Sequence, residues 1–274
     1  MLTYPISSYI IRNGDNVNIL IVGDIFSKLG RQSFERNVKK IKAEKKVNFL
    51  IANGENISHG KGMNEKHYKF LMDLGVNVVT LGNHSFQNPK LLDFIDDVNN
   101  IVRPYNYPED TRGKGYATIN YNGIKITVFQ MIGTVFMAEG NASPFHKTEE
   151  FLEQVDSDIY ICDFHGEATS EKVAFGQHFN GRIQIIFGTH THVPTNDARI
   201  LSEGTAYITD VGMTGPLDGV IGVKKETIIN RFLTDARTRF DPQEDGQTQF
   251  NAILVEINEK TRKATKIDTI NMIE

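Results

Sequence analysis

The sequence predicts an α/β fold, a layered sandwich of mixed parallel and antiparallel strands with helices outside. Three observations predict it. Strand and helix signals alternate over the first hundred residues, a β-hairpin signal follows at Asn122-Gly123, and strand-like runs continue toward the C-terminus. At 274 residues the chain can bury one large core. No repeat, low-complexity tract or Pro/Ser-rich linker divides it, so residues 1–274 are expected to form a single domain.

Val17 to Val22 is a near-continuous apolar run, suited to a strand covered on both faces. Between Gly30 and Lys46, Phe34, Val38 and Ile41 recur at helical spacing among charges, which predicts an amphipathic helix. Phe49-Leu50-Ile51-Ala52 is the next strand, Asn64 to Leu74 the next helix, and Val76 to Leu81 a third strand. Pro89 to Val98 is expected to be helical, with its proline near the first turn. Such repetition implies parallel strands joined by right-handed crossovers.

The character then changes. Tyr116 to Tyr121 and Ile124 to Phe129 flank Asn122-Gly123, the signal of a hairpin with a type I′ turn. Helical spacing returns from Thr148 to Val155, and strands are expected at Ile159 to Phe164 and Ile183 to Phe187. From Thr205 to Ile273 the chain reads as mostly β, with a polar loop from Asp235 to Gln249.

A net charge of −4 and a pI near 6.1 argue against a strongly basic nucleic-acid binder. The single cysteine, Cys162, excludes an internal disulfide, fits a reducing compartment, and belongs to an apolar strand where it should be buried. No apolar run approaches the length of about 20 residues that a membrane span needs. Met1 to Ile11 has no basic residue ahead of its weakly apolar stretch, a poor signal peptide. A cytoplasmic protein without a membrane partner is expected.

Four polar islands follow strand-like runs: Gly23-Asp24, Asn53-Gly54-Glu55-Asn56, Gly82-Asn83-His84 and Gly188-Thr189-His190-Thr191-His192. Singly, each has an ordinary explanation, such as Asp24 as a cap or Asn53-Gly54 as a turn. Together with His165 they place oxygen and nitrogen donors at several strand ends, where α/β proteins gather ligands. His190 and His192 are two apart, so an extended backbone would bring their rings to neighbouring points. Imidazole with carboxylate and amide oxygen suits iron, manganese or zinc better than calcium. Glu55 has two carboxylate oxygens and could serve two ions.

Gly-Asp, Gly-Asn-His and Gly-Thr-His-Thr-His, in this order, resemble the calcineurin-like metallophosphoesterases. Asn53 to Asn56, Asp163 to Glu167 (DFHGE), Gly188 to Asp197 (GTHTHVPTND) and Asp210 to Pro216 (DVGMTGP) resemble the YmdB branch of that superfamily. Two departures from the general pattern favour that branch: Phe26 stands where a histidine is common, and Glu55 replaces a bridging aspartate. The resemblance runs from about Val17 to Ile273, leaving residues 1–16 as an N-terminal extension.

The resemblance implies an α-β-β-α sandwich with two metal ions, iron first and manganese as the alternative. Asp24, Asn56 and His192 would hold one ion, Asn83, His165 and His190 the other, with Glu55 shared. His84 would be the proton donor. The implied reaction is attack of a metal-bridging hydroxide on small cyclic nucleotides, particularly 2′,3′-cyclic nucleoside monophosphates, and self-association is also implied.

Asp163, Glu167 and Asp197 are candidates to orient imidazoles, or ordinary caps. Gly133-Thr134 and Gly212 to Pro216 could line the cleft or be plain turns, so no substrate contact is named. Arg103, Arg182 and Arg199 are expected at the surface. A phosphomonoesterase or nucleotidase using the same metals, an RNA-end phosphodiesterase, and a metal-bound regulatory scaffold with vestigial catalysis are the competing readings; the acidic balance gives no support for long nucleic acids.

Overall fold

The computed structural model describes residues 16–138, 140–235 and 239–274; nearly all of the expected N-terminal extension lies outside the described residues. The N-terminal part forms β1 (Asn16–Val22), the short β2 (Asp24–Ile25), α1 (Ser27–Lys45), β3 (Phe49–Asn53), α2 (Glu65–Asp73), β4 (Val78–Thr80) and β5 (Ile101–Val102). Next come β6 (Tyr116–Tyr121), β7 (Ile124–Ile132), α3 (Pro144–Gln154), β8 (Ile159–His165), α4 (Thr169–His178), β9 (Ile185–Thr189), β10 (Arg199–Ile200) and β11 (Ala206–Ile208). The chain closes with β12 (Met213–Pro216), α5 (Lys225–Thr234), β13 (Thr248–Asn258) and β14 (Ala264–Ile273).

These strands make two mixed sheets. The first has the order β2-β12-β13-β1-β3-β4-β5, with β14 also on β13; the second runs β10-β11-β9-β8-β7-β6. β1, β3, β4 and β5 are parallel, as are β7, β8, β9 and β11. β13 is antiparallel to β1, with Val22 opposite Ala252. The predicted hairpin joins β6 to β7, and Asn122 and Gly123 have φ of 51° and 87°, as a type I′ turn requires.

Alternation along each strand builds the layers. Val17, Ile19 and Ile21 of β1 join Phe49, Ile51, Val128 and Ile161 in the core between the sheets. Leu20 and Val22 point the other way, to Phe34, Val38 and Ile41 of α1 and Leu71 of α2. On the far side Phe129, Cys162 and Phe164 meet Phe151 of α3 and Phe175 of α4. The result is the expected α-β-β-α order, with both faces of each sheet covered, which explains why Ile19–Val22 of β1 and Phe49–Ala52 of β3 are apolar on both faces.

The sequence reading departs from the structure in three places. Pro89–Val98 is no continuous helix but two 3₁₀ turns, Pro89–Leu91 and Ile95–Asp97, after an Asn88 side chain that accepts from Lys90 N–H. Leu91 and Phe94 are three apart, the spacing that a 3₁₀ turn stacks on one face, and both are buried. α4 escaped notice because its buried face carries Glu171, Lys172 and Gly176 beside Phe175, which hides the apolar period. α5 interrupts the supposedly β-rich C-terminal part, and Ile229, Phe232 and Leu233 on it are exposed. Among the described residues no helix is long and apolar enough to cross a membrane.

Candidate metal centre

Parallel strands deliver their C-terminal ends to one rim of the sandwich, and all the islands stand on it. β1 leads through Gly23 to Asp24, β3 into Glu55 and Asn56, β4 into Asn83 and His84, β8 ends on His165, and β9 runs into His190. Gly23 is required here, because a Cβ would overlap the carbonyl oxygen of Gly212, which accepts from Asp24 N–H at 3.1 Å. Asp24, Glu55, Asn56 and His165 are fully buried, and His84 is partly open, with 31% of its side chain exposed.

Two donor clusters form, and they share one residue. Glu55, His165 and His190 make the first; Asp24, Glu55 and His192 make the second; within each, the donor atoms lie within 4.8 Å of one another. Asn83 Oδ1 joins the first cluster, 2.7 Å from His165 Nε2 and 3.1 Å from His190 Nδ1. Asn56 joins the second, its amide nitrogen 3.1 Å from His192 Nε2 and 3.0 Å from Glu55 Oε1.

Each imidazole is oriented from behind. His165 Nδ1 contacts Thr189 Oγ1 at 2.8 Å, which leaves Nε2 for the centre. Thr189 Oγ1 in turn donates to Asp163 Oδ1 at 2.6 Å. His192 Nδ1 donates to Ile221 O at 2.9 Å, and His190 Nε2 lies 3.2 Å from Glu167 Oε2. One ring nitrogen fixed and the other aimed inward is how proteins prepare imidazole ligands. Phe26 packs edge-on against His192, with ring centroids 5.7 Å apart, so the aromatic that replaces a common histidine buttresses a donor.

A family model of YmdB-like proteins matches residues 20–270. The chain belongs to the YmdB-like family. It is 46% identical over 256 residues to a 2′,3′-cyclic-nucleotide 2′-phosphodiesterase of Bacillus subtilis (strain 168), covering 93% of this chain and 96% of that protein. The crystal structure of a phosphatase from Mycoplasma pneumoniae superposes with a TM-score of 0.91 at 37% identity, covering 95% of this chain and 94% of the other. That of a hypothetical protein from Thermus thermophilus gives 0.89 at 34%, covering 94% and 100%. The YmdB-like family is one of metal-dependent phosphoesterases, and phosphoester hydrolysis is the activity named for the first two relatives.

The electrostatics of this YmdB-like centre suit a bound cation. Burial raises the Glu55 carboxyl well above its ordinary value, Asp24 adds to the rise, and Asp24 itself is raised by burial. Burial also holds His165 well below its usual range and pushes His190 down to about 4. Metal ligation needs neutral imidazoles and ionised carboxylates. Here the His165 and His190 imidazoles are already held neutral, and a divalent cation supplies the field that ionises the buried acids. The donor set therefore fits metal ions.

Other expectations fare differently. Asp163 reaches His165 only through Thr189, Glu167 touches His190, and Asp197 accepts from Thr195 and Thr209 and meets no imidazole. Arg182 pairs with Glu149 and Arg199 with Asp197, both exposed. Arg103 is buried instead of exposed, because its guanidinium braces the turn after β5 by donating to Pro104 O and Thr111 O. Gly133 N donates to His165 O at 2.9 Å, which ties that segment to a donor strand. The backbone at His190 and His192 is not extended: φ is 99° and 66°. Sequence reasoning missed Thr189 and Ile221 as partners of the rings; Thr189 stood inside a recognised motif, whereas Ile221 carried no signal, since it acts through its carbonyl.

Proposed function

We propose that this chain is a dinuclear-metal phosphodiesterase that hydrolyses small cyclic nucleotides, 2′,3′-cyclic nucleoside monophosphates above all. The observation that carries this reading is the sharing of Glu55 between two donor clusters. Asp24, Asn56 and His192 would hold one ion and Asn83, His165 and His190 the other, with iron favoured and manganese the alternative. When bound, such ions neutralise phosphate oxygens and lower the pKa of water.

The remaining work falls to the chain. His84 Nδ1 lies 2.8 Å from Asn56 Oδ1, and the His84 backbone N–H donates to Glu55 Oε2 at 2.9 Å, so the residue is anchored beside both clusters without belonging to either. Turning the Asn56 amide by half a turn exchanges its oxygen and nitrogen at no steric cost. Its oxygen then faces the second cluster, and its N–H donates to His84 Nδ1. That leaves Nε2–H to hydrogen-bond the departing ribose oxygen, the position from which His84 would act as the proton donor. Burial and the charges of His192 and Lys61 push His84 down to about 4, and an anionic phosphodiester beside the ring opposes that shift.

Both sheets contribute to the centre, which supports one domain. The lone buried cysteine supports a cytoplasmic setting. Self-association, implied by the resemblance, is read by light scattering. The deciding experiment is a panel of 2′,3′-cyclic AMP, linear diesters and monoesters with the protein loaded with iron or manganese. Turnover of the cyclic diester is expected. Cleavage of monoesters alone would replace this reading with a nucleotidase, and no cleavage at all would leave a regulatory scaffold.

A further inference from the structure

β9 ends at Thr189, and the loop that follows carries two of the donor imidazoles. His190 and His192 both adopt left-handed backbone angles, which non-glycine residues hold only where their surroundings enforce them. The two turns separate the rings, one to each donor cluster. Thr191, between them, turns onto Asp210. Its N–H and its hydroxyl both donate to Asp210 Oδ2, at 3.2 and 2.8 Å.

Asp210 is itself held. The same Oδ2 accepts from Lys172 Nζ at 2.8 Å, and Oδ1 accepts from Gly212 N–H at 2.8 Å. Lys172 Nζ also donates to Thr189 O at 2.8 Å, so one ammonium grips both the end of β9 and the carboxylate beneath the loop. Lys172 is 1% exposed and Asp210 0%. A buried ion pair is seldom better for stability than apolar packing of the same volume. Its location under a strained, donor-bearing loop therefore calls for a positional explanation. Among the described residues, no hydrogen bond joins Lys172 or Asp210 to an imidazole, so their hydrogen-bonded hold on the donor loop runs through Thr189 and Thr191.

We propose that the Lys172–Asp210 pair is a clamp, two positioning residues that fix Thr191 and thereby hold His190 and His192 on separate metal positions. This rests on the two-metal reading above. It also gives a role to the first residue of the Asp210–Pro216 motif and to Lys172, neither of which the proposed chemistry uses.

The test is a Mn²⁺ titration of metal-stripped protein, with free Mn²⁺ followed by electron paramagnetic resonance and folding checked by circular dichroism. Asp210→Asn removes the charge, and Thr191→Val loosens the loop while leaving the buried pair whole. Wild type is expected to bind two Mn²⁺. Folded variants are expected to bind about 10–100-fold more weakly, the usual effect of losing a partner behind a ligand, and to regain turnover at saturating Mn²⁺. A merely structural role would lower the melting temperature without changing the Mn²⁺ affinity of folded protein. Wild-type affinity in folded Asp210→Asn, or in Thr191→Val should the first variant not fold, overturns the clamp alone. Wild type that binds no Mn²⁺ overturns the metal reading itself.

Discussion

His165 Nε2 and His190 Nδ1 stand 3.2 Å apart, and Asn83 Oδ1 is 2.7 Å from the first and 3.1 Å from the second. Three donor atoms from β8, the turn after β4 and the loop after β9 thus converge on one point. Asn83→Ala or His165→Ala is expected to remove roughly half of the bound metal, because the second cluster keeps Asp24 and His192. Elemental analysis of the purified variants checks it; unchanged metal content would contradict the assignment.

His84 lies beside both clusters without entering either. His84→Ala should therefore keep its metal while turnover of 2′,3′-cyclic AMP falls by about 10²–10⁴-fold, the usual contribution of a positioned acid. Parallel measurement of metal content and kcat separates this from loss of a ligand.

Gly82 and Gly23 predict opposite outcomes for the same substitution. A Cβ on Gly82 would enter the centre, 2.5 Å from His165 Nε2 and against Glu55 Oε2. Gly82→Ala is expected to fold and to bind metal poorly, since flexible side-chain ends can retreat from the new methyl. A Cβ on Gly23 would instead overlap the Gly212 carbonyl, which is backbone and cannot yield locally. Gly23→Ala is expected to cost about 1–3 kcal/mol or more in a urea titration.

His67 predicts a pH dependence of stability away from the centre. It is 7% exposed with Nδ1 2.6 Å from Ser58 Oγ, and burial, then the Arg31 charge, hold its pKa down at about 4. The unfolded chain then binds a proton that the folded chain refuses, so stability falls as pH drops from about 6.5 toward 4 and is unaffected above that window. His67→Gln should flatten this part of the profile. Melting temperatures of both proteins across the same buffers give the difference, which isolates His67 from the histidines of the centre.

The sequence showed its strands more clearly than its helices. Ile19–Val22 of β1 and Phe49–Ala52 of β3 are buried on both faces, and their unbroken apolar runs announce that environment. α4 could not be read the same way, because Lys172 and Glu171 on its buried face serve the loops and break the pattern that an ordinary packed helix keeps. Glu171 accepts from Thr134 and Val135, and Lys172 from below grips Asp210. Polar residues buried for positional reasons look like solvent-facing ones until the tertiary partners are known.

The donor residues themselves were legible because each stands directly after a strand, and parallel strands bring such positions to one rim. The candidate donors Asp24, Glu55, Asn56, Asn83, His165, His190 and His192 were therefore visible in the sequence, and their division into two sets was implied by the resemblance alone. How the backbone makes that division was not visible. Two histidines separated by one residue would lie on the same side of an extended chain, and only the left-handed turns at His190 and His192 send their rings apart. Those turns are unfavourable for the local sequence and exist because Asp210, Met213 and Ile221, distant in the chain, hold the loop in place. Local propensity determined which residues could meet a metal; long-range hydrogen bonds decided where each one points.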